Sequence, residues 1–214
     1  LLDRVSPYAL PEELAGEYPH MLLTGDSDVI CYLEIPALDL TLPVRHGVES
    51  GTLQRSVGHL EWSSLPVGGE STHCVLSGHR GLPSSELLTN IDRLERGDLF
   101  RLHVLGETLT YRVDQVAVVE PGDFSLLGIE EGEDLVTLLT CTPYGINSHR
   151  LLVRGHRVET SLAQLSVRIS ADALVIDPYI VAPIVAAPML LILLILMLVT
   201  TSPKHKKRKG AERS

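Results

Sequence analysis

Between Asp177 and Lys204 the chain runs for 26 residues, Pro178 to Pro203, without a charge. The centre of that interval, Ile180 to Val199, is 20 residues long and almost wholly apolar. At about 1.5 Å of rise per residue it is long enough to cross a hydrocarbon layer of roughly 30 Å. The expectation is a transmembrane helix over residues 180–200. Pro183 and Pro188 fall in its first turns, where a membrane tolerates a kink if the freed carbonyls find partners, so regular helix is expected from near Ala186. A buried core helix is the alternative reading. Core helices, however, are rarely apolar on every face, and here Lys-His-Lys-Lys-Arg-Lys follows at once.

That interval separates two electrostatic regimes. The chain carries 18 basic and 27 acidic residues, net −9. All four lysines (Lys204, Lys206, Lys207, Lys209) and two arginines lie in the last eleven positions with Glu212 as the only acid, so the tail is +5 and residues 1–203 hold −14. By the positive-inside rule, the tail of residues 201–214 is expected on the cytoplasmic side, next to lipid headgroups, and the acidic portion outside. An acidic main domain without a broad basic face excludes nucleic acid as its partner. An exported domain needs a targeting signal. None is visible after Leu1, and an export signal or a first membrane span is expected to have preceded it.

The outward portion reads as β structure. Val29 to Ile35, His73 to Ser77, Leu99 to Leu105, Thr108 to Val119, Asp134 to Cys141 and His149 to Val158 are short runs rich in Val, Leu, Thr and Tyr, bounded by Gly, Pro, Asn or Asp. Leu105-Gly106-Glu107-Thr108 has the length of a hairpin connection. Helix is scarce: it is expected over Ser84 to Leu94, where Leu87, Leu88, Ile91 and Leu94 share one face, with a short helical hint at Glu12-Glu13-Leu14 in the arm. Many short strands with few helices predict a mainly β, closed or nearly closed barrel. The domain expectations are an arm at 1–28, a barrel at 29–158, an amphipathic juxtamembrane connector at 159–179, the span at 180–200 and the tail at 201–214.

Cys31, Cys74 and Cys141 are an odd number for a domain outside the membrane, so at least one thiol is left over. A free cysteine serves well as a small core hydrophobe, and Cys31 and Cys74, in mid-strand, fit that role or a mutual disulfide. Cys141 differs. It ends the apolar run Val136 to Thr140, and Pro143, Gly145 and Asn147 then turn the chain to the surface. His79 stands likewise at the end of Cys74 to Ser77, before Gly81-Leu82-Pro83. Arg150 opens the next strand, and a hairpin would return it to the thiol. A thiol with a His and an Arg nearby is the equipment of nucleophilic acyl transfer: the thiolate attacks, the His protonates a leaving amine, and the Arg holds substrate or oxyanion. On spacing alone, a buried Cys with an unrelated surface His and Arg fits as well.

The wording of the segments goes further. Leu138-Leu139-Thr140-Cys141-Thr142-Pro143-Tyr144-Gly145 followed by Asn147-Ser148-His149-Arg150-Leu151-Leu152-Val153-Arg154-Gly155 resembles the TLxTC signature and Arg strand of the sortases. Gly58-His59-Leu60, Ser63 to Gly69 and Leu76-Ser77-Gly78-His79-Arg80-Gly81 resemble that family's strand and catalytic-His segments. The CTPYG form with a C-terminal span is most similar to class C, the pilin-polymerising sortases. The resemblance covers residues 29–158 and implies an eight-stranded sortase-type β-barrel and a cysteine transpeptidase. It implies that Cys141 attacks the Thr carbonyl of an LPxTG-like sorting signal, His79 acts as general acid and then base, and Arg150 binds substrate backbone and oxyanion. The implied acceptor is a Lys amine of another pilin subunit.

Class C members carry an N-terminal lid with an Asp-Pro-aromatic motif. Here Ser6-Pro7-Tyr8 occupies the corresponding region with Ser in place of Asp, and Tyr8 is expected as the lid aromatic. Asp177-Pro178-Tyr179 matches the letters but lies against the membrane, as an interfacial anchor would. No cofactor is expected. Nor is a metal: His73 and Cys74 are adjacent and point to opposite faces of a strand, so they cannot join His79 around one ion. Trp62 is expected to pack, or to border the substrate groove. Two rival functions remain, a housekeeping-type sortase that attaches surface proteins to a cell-wall precursor and a catalytically silent surface assembly module.

Overall fold

The computed structural model describes residues 15–25, 27–81 and 86–160, together with Leu194, Leu196 and Met197. The chain divides into two compact units, Leu1–Ser161 and Leu162–Ser214. In the second, Leu194, Leu196 and Met197 are helical and exposed. Among the described residues no helix is long and apolar enough to cross a membrane, and most of the expected span lies outside them.

In the first unit eight strands close a barrel: β1 (Val29–Ile35), β2 (Leu40–His46), β3 (Val57–His59), β4 (Thr72–Ser77), β5 (Leu99–Val104), β6 (Glu107–Val119), β7 (Asp134–Thr142) and β8 (His149–Val158). Their order around it is β1-β2-β3-β4-β7-β8-β6-β5. The pairs are antiparallel except β2 with β3 and β4 with β7, which run parallel. Among the described residues a short helix, α1 (Ser50–Leu53), and 3-10 turns at Tyr18–His20, Pro36–Leu38 and Ile91–Arg93 accompany the strands.

Local chemistry explains most of these elements. β5 and β6 are joined by Leu105-Gly106, both at positive φ (48° and 84°), the two-residue turn whose twist matches a hairpin. β6 is 13 residues long and carries a bulge between Val113 and Gln115, which bends it so that its first half pairs with β5 and most of its length with β8. β2 was not among the expected strands because Pro43 sits in its middle. The strand survives because β3 reaches β2 only at Val44 to His46, leaving Pro43 with a ladder neighbour on the β1 side alone.

The expected helix over Ser84 to Leu94 is not formed where the chain is described. Leu87 has φ of 35°, Leu88 donates its N–H to the carbonyl of His79, and only Ile91–Arg93 makes a 3-10 turn. Leu87, Leu88, Ile91 and Leu94 are all buried, but in the barrel core, so an apolar spacing that resembles a helix face is used by a folded-back loop.

Two apolar clusters hold the barrel. The larger fills the interior with residues such as Leu33, Ile35, Leu76, Phe100, Tyr111, Leu138 and Val153. The smaller lies on the outer side of β4, β7 and β8: Leu60, Val75, Leu127, Leu139 and Leu152, with Val48, Trp62, Val119 and Phe124 against it. These three strands are therefore apolar on both faces, and six consecutive residues of β7, Leu135 to Thr140, are buried. Each fully buried Leu among them stabilises the fold by roughly 1.5–3 kcal/mol.

Candidate functional site

Strand alternation sets the site. On β7, Leu138 faces the interior cluster and Leu139 the outer one; on β8, Val153 and Leu152 divide in the same way, and on β4, Leu76 and Val75. Cys141 is two residues beyond Leu139, Arg150 two before Leu152, and His79 four beyond Val75. All three therefore share the parity of the outer cluster.

The register then brings them side by side. Cys141 on β7 pairs directly with Arg150 on β8. On the other flank Ser77 of β4 pairs with Leu139, and the ladder extends one step further through the Gly78 N–H to the Leu139 carbonyl. His79 is the next residue along the chain. β7, which carries the thiol, lies between β8, which carries Arg150, and β4, which leads into His79. Thr140 reinforces this junction by donating its hydroxyl to the Gly78 carbonyl at 2.7 Å.

A groove of about 760 Å³ opens over the outer cluster. His79 and Arg150 are both in its wall, with Leu60, Trp62, Phe124, Leu139 and Leu152 as apolar lining and Glu49, Glu61 and Asp123 at polar positions. Cys141, half-buried and in register with Arg150, is not itself one of the lining residues. Trp62 does border the groove, and it also packs, edge-on against Phe124 with centroids 5.8 Å apart.

The electrostatics separate the three cysteines. Cys31 and Cys74 are unpaired thiols buried in the interior core, where burial pushes Cys31 up to about 12 and Cys74 well above its ordinary value. Neither forms thiolate near neutrality, and both are inert. Cys141 alone is partly open to solvent. Burial lowers the pKa of His79, so its imidazole is neutral at pH 7 and able to receive a proton. Arg150, 7% exposed, donates from Nη1 to the carbonyls of Asn147 (3.3 Å) and His149 (3.0 Å), which steadies its guanidinium beside the β7–β8 turn.

The remaining candidates divide clearly. Ser6, Pro7 and Tyr8, and likewise Asp177, Pro178 and Tyr179, lie outside the described residues. His73 bonds the Gly128 carbonyl and the Thr137 hydroxyl outside the barrel while Cys74 points into it. Among the described residues no group of three His, Cys, Asp or Glu side chains could hold a metal.

Composition and spacing did not reveal two features. Arg80 bridges Asp92 and Thr142, the residue after Cys141. Tyr18, from the arm, inserts its hydroxyl beside the fully buried His59 and accepts from the Gly47 N–H at the groove wall. Only their neighbours carried a signal, since Arg80 directly follows His79.

A closed barrel with a half-buried thiol in register with an arginine, beside a groove lined by that arginine and a histidine, holds the groups that thiol acyl transfer uses. The sortase-domain family model matches residues 33–158, and the chain belongs to the sortase family, whose members are cysteine transpeptidases. Sortase D of Bacillus subtilis is 31% identical over 138 residues, 63% of this chain and 66% of that protein. The chain spans at most 66% of the length of the curated relatives it matches. Among solved structures, sortase C1 from Streptococcus agalactiae is 48% identical with a TM-score of 0.70, covering 72% of this chain and 80% of that one. The pilus-related sortase C of Group B Streptococcus is 45% identical with a TM-score of 0.63, covering 65% and 71%.

Proposed function

We propose that the protein is a membrane-anchored, class C-like sortase that joins pilin subunits. The observation that supports this reading is the direct pairing of Cys141 with Arg150 across β7 and β8, beside a groove whose wall holds both Arg150 and His79. As the Cys141 sulfur attacks the Thr carbonyl of an LPxTG-like signal, its proton passes to the neutral His79. Arg150 offers its charge to the developing oxyanion. Collapse breaks the Thr–Gly bond, His79 returns the proton to the leaving Gly amine, and a thioester remains on Cys141. A Lys amine of a second pilin subunit then attacks the thioester, His79 takes the amine's proton, and an isopeptide bond forms as the thiol is regenerated.

The pilin acceptor is supported by the likeness to sortase C structures, one of them pilus-related by its own description. The anchor reading is supported by the uncharged stretch at 180–200 and the +5 tail, whose charge under the positive-inside rule favours an outward barrel and a cytoplasmic tail at 201–214. Ser6-Pro7-Tyr8 is assigned as the lid over the groove on its position in the arm.

The test incubates the protein with an LPxTG peptide and either a pilin fragment or a short wall-type amine, with Cys141→Ala as control. Mass spectrometry should detect a thioester on Cys141 and a peptide–pilin isopeptide product, both lost in the control. Capture by the wall-type amine alone would assign the housekeeping role. If no sorting peptide gives a thioester, the barrel is a silent assembly module.

A further inference from the structure

Beyond Gly78 the β4–β7 ladder ends, yet the chemistry proposed for this site needs His79 and Cys141 to keep a fixed separation past that point. Among the described residues the polar link that spans the gap is Arg80. Its Nη2 meets Asp92 Oδ2 at 2.6 Å and its Nη1 donates to Thr142 Oγ1 at 3.1 Å. Arg80 directly follows His79, and Thr142 directly follows Cys141. The guanidinium therefore ties together the two residues that come immediately after the proposed acid–base and nucleophile.

Stability alone is a poor account of this arginine. Its side chain is nine-tenths buried, and its Nε is buried with no hydrogen-bond partner among the described residues, a costly state for a charged donor. The compensating ion pair is to Asp92, whose side chain is 45% exposed, and such pairs contribute little. What the burial does achieve is geometric. A planar fork holds two partners in fixed directions, as a flexible ammonium cannot. A second contact acts at the same junction: the Tyr144 ring lies against Gly81, close enough that a Cβ there would meet Cε2 at 2.8 Å.

We propose that Arg80 is a positioning residue, which by bonding Thr142 and Asp92 together sets the approach of the His79 imidazole to the Cys141 thiol. The inference rests on the assignment of Cys141 and His79 as the reacting pair. Removing the strut leaves substrate binding intact and lowers the fraction of complexes with reacting groups aligned, so the loss falls on kcat rather than KM.

Thr142→Val, which removes the accepting oxygen and keeps the shape, is the primary variant. In the full chain, with an LPxTG peptide and a soluble amine, its kcat should fall about tenfold while KM stays within about twofold. Its Tm should stay within about 2 °C of the parent. Thr142→Ser should restore kcat, and Arg80→Lys should recover it only in part. A parental kcat in Thr142→Val, or a loss that Thr142→Ser does not repair, overturns the proposal. So does a loss that tracks Tm. Cys141→Ala separates the two readings: if it is inactive while Thr142→Val is normal, the strut alone is wrong, whereas if it still turns over peptide the site assignment falls and the strut with it.

Discussion

The proton arrangement around His59 shows how one buried side chain ties the arm to the barrel. Its Nε2 lies 2.9 Å from the Ser64 carbonyl, which can only accept, so the ring proton is on Nε2. Nδ1 is then an acceptor, and the Tyr18 hydroxyl, 2.8 Å away, donates to it. The network is complete only with a neutral ring, and burial accordingly lowers the pKa from 6.5 to about 4. Tyr18→Phe would leave Nδ1 buried without a donor and should cost about 1–3 kcal/mol, read as a lower midpoint in urea. The pH consequence has a definite sign. Between pH 6.5 and about 4 the unfolded chain binds a proton at His59 that the folded chain does not. The contribution is complete above 6.5 and falls as the pH drops through that window, by about 3 kcal/mol at most. In His59→Gln, which keeps a donor for Ser64 but cannot titrate, stability should fall less steeply between pH 6.5 and 4. Equal slopes in the two proteins would refute it.

Gly155 in β8 is required by the packing between elements. Phe100 on β5 and Tyr111 on β6 stack with centroids 5.6 Å apart, and a Cβ on residue 155 would meet Phe100 Cε1 at 2.7 Å and Tyr111 Cβ at 3.1 Å. The ring pair occupies the volume that a side chain on β8 would otherwise take. Gly155→Ala should therefore overpack the core and lower stability by about 1–3 kcal/mol. Phe100→Leu in the same chain should recover part of that loss, and calorimetry on the two variants checks both. Elements were legible in the sequence where local chemistry decided them. Gly, Pro and Asn bounded six of the eight strands, and Leu105-Gly106 announced its hairpin. Pro43 concealed β2, because its tolerance depends on which neighbour pairs at that level. The Leu87, Leu88, Ile91 and Leu94 spacing suggested a helix because all four are apolar for another reason, burial in the barrel. Within the site, the nearness of Arg150 to Cys141 was readable from a nine-residue hairpin. The approach of the segment that leads to His79 was not, since it follows from a parallel pairing of Ser77 with Leu139, far apart in the chain. The family resemblance proposed that grouping where spacing could not.

At the scale of the whole molecule, the division of charge in the sequence coincides with a division in structure. The barrel, its two cores and the described parts of the site all fall within Leu1–Ser161, and the uncharged stretch and basic tail within Leu162–Ser214. Because the buried residues of both apolar clusters lie between Ile30 and Val153, ending the chain at Thr160 should leave the barrel folded. The second unit should then carry the membrane affinity alone: about twenty apolar residues hold a chain in a bilayer effectively irreversibly, whereas an acidic barrel is repelled by an anionic surface. Mixed with vesicles containing anionic lipid and sedimented, the full chain should pellet at low and high salt alike, because hydrocarbon burial is insensitive to screening. The chain ending at Thr160 should stay in the supernatant with the far-UV spectrum of a β protein and with Cys141 still open to alkylation. If the full chain were released by high salt, the tail would be holding it by charge alone and the stretch at 180–200 would not be a span. If the shortened chain pelleted as well, the barrel would carry a membrane surface of its own.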